Sequence, residues 1–389
     1  MADHHSNRVI LLVGVSFYPS NTPRANRWTY FARELDLKGW RIRVISREFE
    51  GYLSNQRTSS TSSDLHTPSL LSRLIRKAFS YLLFDHHIIW AVRKLLQIAR
   101  RKDIYREIDI VVAYGLPLSG ILLGMLIARI LGRPCVVEYG DPIDKNPAHR
   151  PTLLERIANK WTITLAKQVI VTNENYAEYA SQVYGRQIEF LSPVASLPTL
   201  KKSETQLNES FANLGMSIKV FYAGMFYDGL RSGVPFIEAL GHIKKEIVFV
   251  HAGTIYKKAL NKNKYHNIGY LPQNIISHYL YWADVVLYFS NSSNYQTPSK
   301  VVEIAHLANV VLAIGNTFST FESTLLDQTM TFYVSNKASK IEEQLNNINL
   351  LSNPNPKSDF YFNEKVNRLI KYNNKVISEL DSIINKCIL

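Results

Sequence analysis

Cysteine is nearly absent from the sequence. The two present, Cys135 in an apolar run and Cys387 near the end, are too few and too far apart for a disulfide framework or a thiolate metal cage. A reducing cytoplasm is the compartment this implies. Acidic residues are in deficit: 32 Asp and Glu face 45 Lys and Arg, a formal charge of +13. That bias favours anionic partners such as nucleotides, nucleic acids or acidic membrane surfaces without choosing among them. No apolar leader opens the chain, since MADHHSNR runs straight into VILLVGV, so neither a signal nor a transit peptide is expected and the mature chain is expected to start there. An unbroken spanning segment is missing too. Residues 109–132, DIVVAYGLPLSGILLGMLIARILG, are nearly free of charge, but Tyr114, Gly115 and Pro117 predict a turn inside them. The remaining helix, about fifteen residues with Arg129 in it, is too short for a ~30 Å hydrocarbon core at ~1.5 Å per residue. No short-period repeat occurs, and the Asn and Lys richness near the end reads as compositional.

What remains is an ordinary globular composition, 46% apolar, long enough for two or three domains at ~150 residues each. Short β-branched runs alternate with helix-length segments at 9–16, 41–46, 109–114, 134–139 and 168–172. The alternation lapses through the Ser-, Pro-, Lys- and Asn-rich stretch 192–217, then restarts at 218–224, 246–253, 283–289, 309–315 and 330–335. This predicts an α/β chain of two Rossmann-like, doubly wound domains facing a central cleft: an N-terminal domain over 1–192, a linker over 193–217 and a second domain over 218–355. Residues 356–389, with Phe360, Phe362, Val366, Leu369 and Ile370 at helical spacing, suit a closing amphipathic helix. Ligands bind outside strand carboxyl ends in such sheets, which makes the cleft the default site.

Residues 297–308, TPSKVVEIAHLA, read as a helix with Thr297 as N-cap and Pro298 at the first helical position. Its first charge is then Lys300, a cation where the helix dipole is already positive, and the acid Glu303 comes later. An anion such as a diphosphate would fit there, with Glu303 accepting from sugar or ribose hydroxyls beyond it. A surface ion pair between the two is the plainer alternative. In YAGMFYDGLRSGVPFIEAL, residues 222–240, a strand ends at Gly224 and its loop leads to Arg231, either a bidentate phosphate ligand or a solvated loop arginine.

Taken together these pieces resemble the donor domain of GT-B glycosyltransferases, especially glycosyltransferase family 4. In that family a Gly-ended strand leads to a basic pair on the donor diphosphate, and a later Glu, seven residues, Glu motif holds the donor. Arg231 matches the second basic position, Met225 stands at the first, and Glu303 matches the second Glu, which contacts the ribose. Tyr295 occupies the place of the first Glu. HNIGYLP, residues 266–272, resembles the loop whose backbone meets the base, which makes Gly269 and Tyr270 base neighbours. Ser299 joins the donor-binding set with Gly224, Tyr295 and Lys300.

The first half resembles the family's opening unit, a strand and loop followed by a helix entered at Thr22 and Pro23. Arg24 and Arg27 there are candidate contacts to donor phosphate or an anionic acceptor, or a solvated helix face. Where the family often has a His near the reacting sugar, VVEYGDP offers Asp141, a candidate base for an acceptor hydroxyl or a turn starter before Pro142. The resemblance implies no cofactor and no metal, the leaving diphosphate being met by helix dipole, Lys and Arg. His86 and His87 are adjacent and lack partner ligands, so a structural role is favoured for them. Residues 69–84, SLLSRLIRKAFSYLLF, with Arg73, Arg76 and Lys77, suit either a helix on an anionic membrane or a core helix with a basic face. On the membrane reading the acceptor is lipid-linked, Asp85 and Trp90 lie nearby, and the protein is cytoplasmic with peripheral contact to the inner face of the cell membrane.

The leading expectation is a glycosyltransferase, retaining by resemblance, that moves a sugar from a nucleotide-diphosphate sugar to a glycan or lipid-linked acceptor in bacterial surface polysaccharide synthesis. A nucleotide-sugar epimerase on the same fold is the alternative; it needs paired acid and base groups, and only Asp141 is evident. A non-catalytic nucleic-acid binder is a third class, opposed by scattered basic residues and no recognisable motif.

Overall fold

A computed structural model describes residues 8–20, 22–54, 85, 87–147, 149–195, 197, 217–227, 229–256, 264–348 and 358–389. The chain divides into two compact units, one of Met1–Ser192 with Lys375–Leu389, the other of Pro193–Asn374.

In the first unit, strands β1 (Val9–Val13), β2 (Arg41–Ile45), β3 (Glu50–Tyr52), β4 (Ile108–Tyr114), β5 (Cys135–Tyr139), β6 (Gln168–Val171) and β7 (Glu189–Phe190) form one sheet in the order β3-β2-β1-β4-β5-β6-β7. All neighbours are parallel except β2 and β3. Strands β1 and β5 are buried on every residue, as expected for parallel strands covered on both faces. Helix Pro23–Leu37 starts as its sequence predicts, the Thr22 side chain accepting from the Ala25 amide and Pro23 at the first position. The apolar stretch 109–132 is strand β4, a turn, and helix Leu118–Leu131, closed by left-handed Gly132. Among the described residues no helix is long and apolar enough to cross a membrane. The basic segment 69–84 and His86 lie outside the described residues.

The second unit repeats the plan with β8 (Ile218–Ala223), β9 (Ile247–Ala252), β10 (Tyr265–Gly269), β11 (Val285–Phe289), β12 (Val310–Ile314) and β13 (Met330–Val334), ordered β10-β9-β8-β11-β12-β13 and parallel throughout. Two apolar clusters cover its faces, one holding Val301, Val302, Ile304, Phe362 and Leu369, the other Phe236, Phe249, Phe289 and Leu345. This is the doubly wound α/β class read from the alternation. Of HNIGYLP, residues up to Gly269 form edge strand β10 and only the rest is loop.

One helix start differs from expectation. The helix runs Val301–Leu307, not from Pro298, and Lys300 is its N-cap rather than a first-turn residue. Pro298 instead closes a turn, its carbonyl accepting from the Val301 amide at 3.1 Å. Thr297 and Pro298 therefore sit one turn too early to cap it, and Glu303 falls in the first turn, where a carboxylate complements the dipole.

Candidate functional site

In the second unit the strand order reverses between β8 and β11, the point outside whose carboxyl ends ligands bind in such sheets. The loops leaving these strands carry Gly224 and Arg231 on one side, and Tyr295, Ser299 and Lys300 on the other. They are tied together: the Ser292 amide donates to the Leu230 carbonyl and Ser292 Oγ to the Gly229 carbonyl, both at 2.8 Å. Tyr227 and Arg231 exchange backbone hydrogen bonds of 3.0 and 2.8 Å, closing the turn from which the arginine extends. Its guanidinium lies 5.7 Å from the Tyr227 ring centre, and the buried Tyr222 hydroxyl nearby donates to the Met225 carbonyl at 3.2 Å.

Three polar atoms in these loops, Arg231 Nε, Ser290 Oγ and Asn291 Oδ1, are buried without a hydrogen-bond partner in the protein. Each such atom costs roughly 1–3 kcal/mol, so polar groups brought by a ligand are worth most here. Ser290 is seated by Gly315 at the end of β12, where an added Cβ would lie 1.9 Å from its hydroxyl.

The neighbouring strand ends are pinned by His251 on β9. Its Nε2–H donates to the Gly224 carbonyl at 2.8 Å, and Nδ1 accepts from the Tyr265 hydroxyl at 2.9 Å. Burial lowers its pKa, which keeps the ring neutral and suited to this donor–acceptor role. Gly253 allows the approach, because a Cβ there would come within 2.3 Å of the Gly224 carbonyl oxygen.

Tyr270 is 74% exposed, its hydroxyl 2.5 Å from Thr254 Oγ1 and 3.6 Å from Met225 Sδ, which also receives the Tyr227 hydroxyl at 3.7 Å. Thus Met225, at the position of the family's first basic residue, sits in a thioether and phenol cluster. From Tyr270 the chain reaches Gln273, first residue of helix Gln273–Trp282. Gln273 Nε2 donates to Glu303 Oε1 at 2.6 Å, while Lys300 Nζ lies 3.4 Å from both Gln273 Oε1 and Glu303 Oε2. Lys300 and Glu303 do pair, yet not on the surface: the Glu303 side chain is 6% exposed. The structure thus brings Gly224, Arg231, Gly269, Tyr270, Lys300 and Glu303 to one edge of the sheet. Tyr295, whose amide bonds Ser293 Oγ, and exposed Ser299 lie on the same β11 loop.

In the first unit Arg24 reaches Asp141 at 3.5 Å and donates to the Leu116 carbonyl. Arg27 is held differently. It binds Glu138, a buried acid on β5, at 2.7 Å, and Trp28 Nε1 donates to the other carboxylate oxygen at 3.1 Å. Arg27 is thereby a positioned interior cation rather than a solvated helix face. Among the described residues no three His, Cys, Asp or Glu side chains gather as metal ligands.

No family model and no curated protein matches the chain. Solved structures do. Sucrose-phosphate synthase from Thermosynechococcus elongatus superposes with a TM-score of 0.65 at 12% identity, over 97% of this chain and 98% of that one. The Anabaena HepE protein, crystallised with UDP and glucose, matches with a TM-score of 0.59 at 12% identity over 96% and 100%. The fold is that of the GT-B glycosyltransferases. A UDP-N-acetylglucosamine 2-epimerase is similar as well, with a TM-score of 0.53 at 12% identity over 93% and 94%.

Four residues at these strand ends escaped the sequence reading. Glu138 was visible as a lone acid in the apolar run PCVVEY, and His251 as a lone imidazole in EIVFVHAG. Ser290 and Gln273 carry no such signal, being ordinary polar residues at a strand end and a helix start.

Proposed function

We propose that the chain is a nucleotide-sugar-dependent glycosyltransferase whose second unit binds the donor. The observation that carries this reading is the group of buried polar atoms on Arg231, Ser290 and Asn291 at the reversal of strand order, and the Lys300–Glu303–Gln273 triangle on the helices that follow β10 and β11 adds to it. Arg231 and Lys300 meet the diphosphate, and their charge stabilises it as it leaves. Glu303, oriented by Gln273, accepts from the ribose hydroxyls, and Gly269 and Tyr270 flank the base. Gly224, Tyr295 and Ser299 line the donor, with Tyr295 where a second carboxylate stands in family 4. In the first unit Asp141, oriented by Arg24, takes the proton of the acceptor hydroxyl, and Arg27 holds that wall through Glu138. A glycan or lipid-linked acceptor, use in surface polysaccharide synthesis, a retaining course and independence of metal belong to this proposal. HepE, crystallised with UDP and glucose, supports a uridine nucleotide as the first donor to try.

The test is a panel of nucleotide sugars with and without membrane lipid extract, reading nucleoside diphosphate release. Release that requires an acceptor supports transfer. The similar epimerase keeps a second reading in view: conversion of the donor sugar with no acceptor and no net diphosphate release would favour it. Absence of binding or turnover for every nucleotide sugar would sink both.

A further inference from the structure

A pocket lies in the first unit, about 400 Å³ in volume and lined by Arg47, His87, Trp90, Arg93 and Lys94 with Ile89 and Gln97. Its size is that of a small-molecule site. The charges around it can be balanced one by one. Lys94 is matched by Glu50 on β3 at 2.6 Å. Asp85 spends its carboxylate on the His87 amide and on the Ser119 amide and hydroxyl, at 2.7 to 3.1 Å. Arg47 and Arg93 are left: among the described residues neither has a carboxylate within ion-pair distance. Arg47 Nη1 instead donates to His87 Nδ1 at 3.2 Å, which aligns the guanidinium at the pocket wall and requires that nitrogen to be the acceptor.

The same wall is the start of helix Ile88–Arg100, which has no side-chain cap at His87 and no acid in its first turn. Asp85 already meets the start of this helix, so it is the two arginines that fit a phosphate. Beside the pocket the helix exposes Ile89, Val92 and Leu96 at 41%, 48% and 53%, spaced three and four apart on one face. An apolar ridge running from a cationic pocket is the signature of an amphiphile, not of a free anion.

We propose that this pocket binds the phosphate headgroup of a membrane lipid, Arg47 and Arg93 gripping the phosphate while Ile89, Val92 and Leu96 enter the apolar layer. It is a site apart from the donor loops and stands whether or not the chain transfers a sugar.

The experiment is flotation of the full chain with phosphatidylcholine vesicles doped with phosphatidic acid. The paired substitution Arg47→Gln with Arg93→Gln should weaken association on the order of 30-fold. The exposed pair Lys244→Gln with Lys340→Gln, in the other unit, should cost only a few-fold. Ile89→Ser with Leu96→Ser should also release the chain from vesicles, and UDP binding should be unchanged in every variant. Equal losses for the two basic pairs would overturn the proposal in favour of diffuse attraction to the +13 chain. Vesicle binding that survives the serine pair but is abolished by inorganic phosphate would overturn it in favour of a soluble phosphate. All the residues exchanged reach solvent, and thermal melts verify that the variants fold.

Discussion

Gly253 offers the sharpest test of how the carboxyl edge of the second sheet is built, because Gly269, on the same edge, supplies an internal control. Both have positive φ, +152° and +73°, so alanine at either position is conformationally strained, by roughly 1–2 kcal/mol. They differ in space. Around a Cβ at Gly269 nothing lies within 4 Å, whereas at Gly253 it would meet the Gly224 carbonyl oxygen at 2.3 Å. Real Cβ contacts do not go below 3.0 Å, and the obstacle is backbone, so the ends of β8 and β9 must part by most of an ångström. Three hydrogen bonds are exposed to that movement: Gly224 N to Ala252 O at 3.0 Å, Gly253 N to Gly269 O at 2.8 Å and His251 Nε2 to Gly224 O at 2.8 Å. At about 1 kcal/mol each, losing two or three brings Gly253→Ala to a total of about 3–5 kcal/mol, against about 1–2 kcal/mol for Gly269→Ala. Urea unfolding of the two variants measures the difference, and UDP titration should find the Gly253 variant the weaker binder. If Gly253→Ala is no less stable than Gly269→Ala, the close packing of β8 against β9 is not what holds Gly224 in place.

Lys300→Ala should weaken UDP binding roughly 10- to 100-fold by calorimetry, from ~1.5–3 kcal/mol for a charged hydrogen bond, and unchanged affinity would remove Lys300 from the site. Gln273→Ala should weaken it less, acting through Glu303. Glu138→Gln breaks the interior pair with Arg27 and should lower stability by about 3 kcal/mol, read from denaturation midpoints. Acid should destabilise the second unit early. Burial lowers the pKa of both His251 and His306, so as pH falls below ~6.5 the unfolded chain takes up protons that the folded one refuses. Their contribution is present in full above that pH and declines below it, so a urea midpoint equal or higher at pH 5.5 than at 7.5 would contradict the assignment.

The fold was legible because parallel strands covered on both faces must be continuously apolar, as VILLV and VVLYF are, and because turn residues punctuate them. Strands β3 and β7 were not, being two or three residues long and only partly buried. Thr22–Pro23 and Thr297–Pro298 look alike in sequence, but the first pair starts a helix and the second precedes a turn. What separates them is tertiary: Val301 is the first residue of 297–308 in the apolar cluster of the second unit, and the helix begins there. Charged candidates were easier to find than their partners. Arg231, Lys300 and Glu303 stand out by charge and spacing, whereas Gln273 and Ser290 gain meaning only when separate strand ends converge.

The terminal helix Asp359–Ile388 bears on any attempt to dissect the protein. Its first half supplies Phe362, Val366 and Leu369 to the apolar cluster of the second unit, and Lys365 donates to the Ala308 carbonyl at the end of the helix that carries Glu303. Its last residues belong to the first unit, where Asp381 accepts from Trp40 Nε1 at 2.8 Å and Asn385 from Arg8. Severing the chain within 193–217 would therefore leave part of the first unit, residues 375–389, on the fragment that carries the second. An N-terminal half expressed alone should need residues 375–389 added back, as a fused or separate peptide, before it becomes resistant to proteolysis.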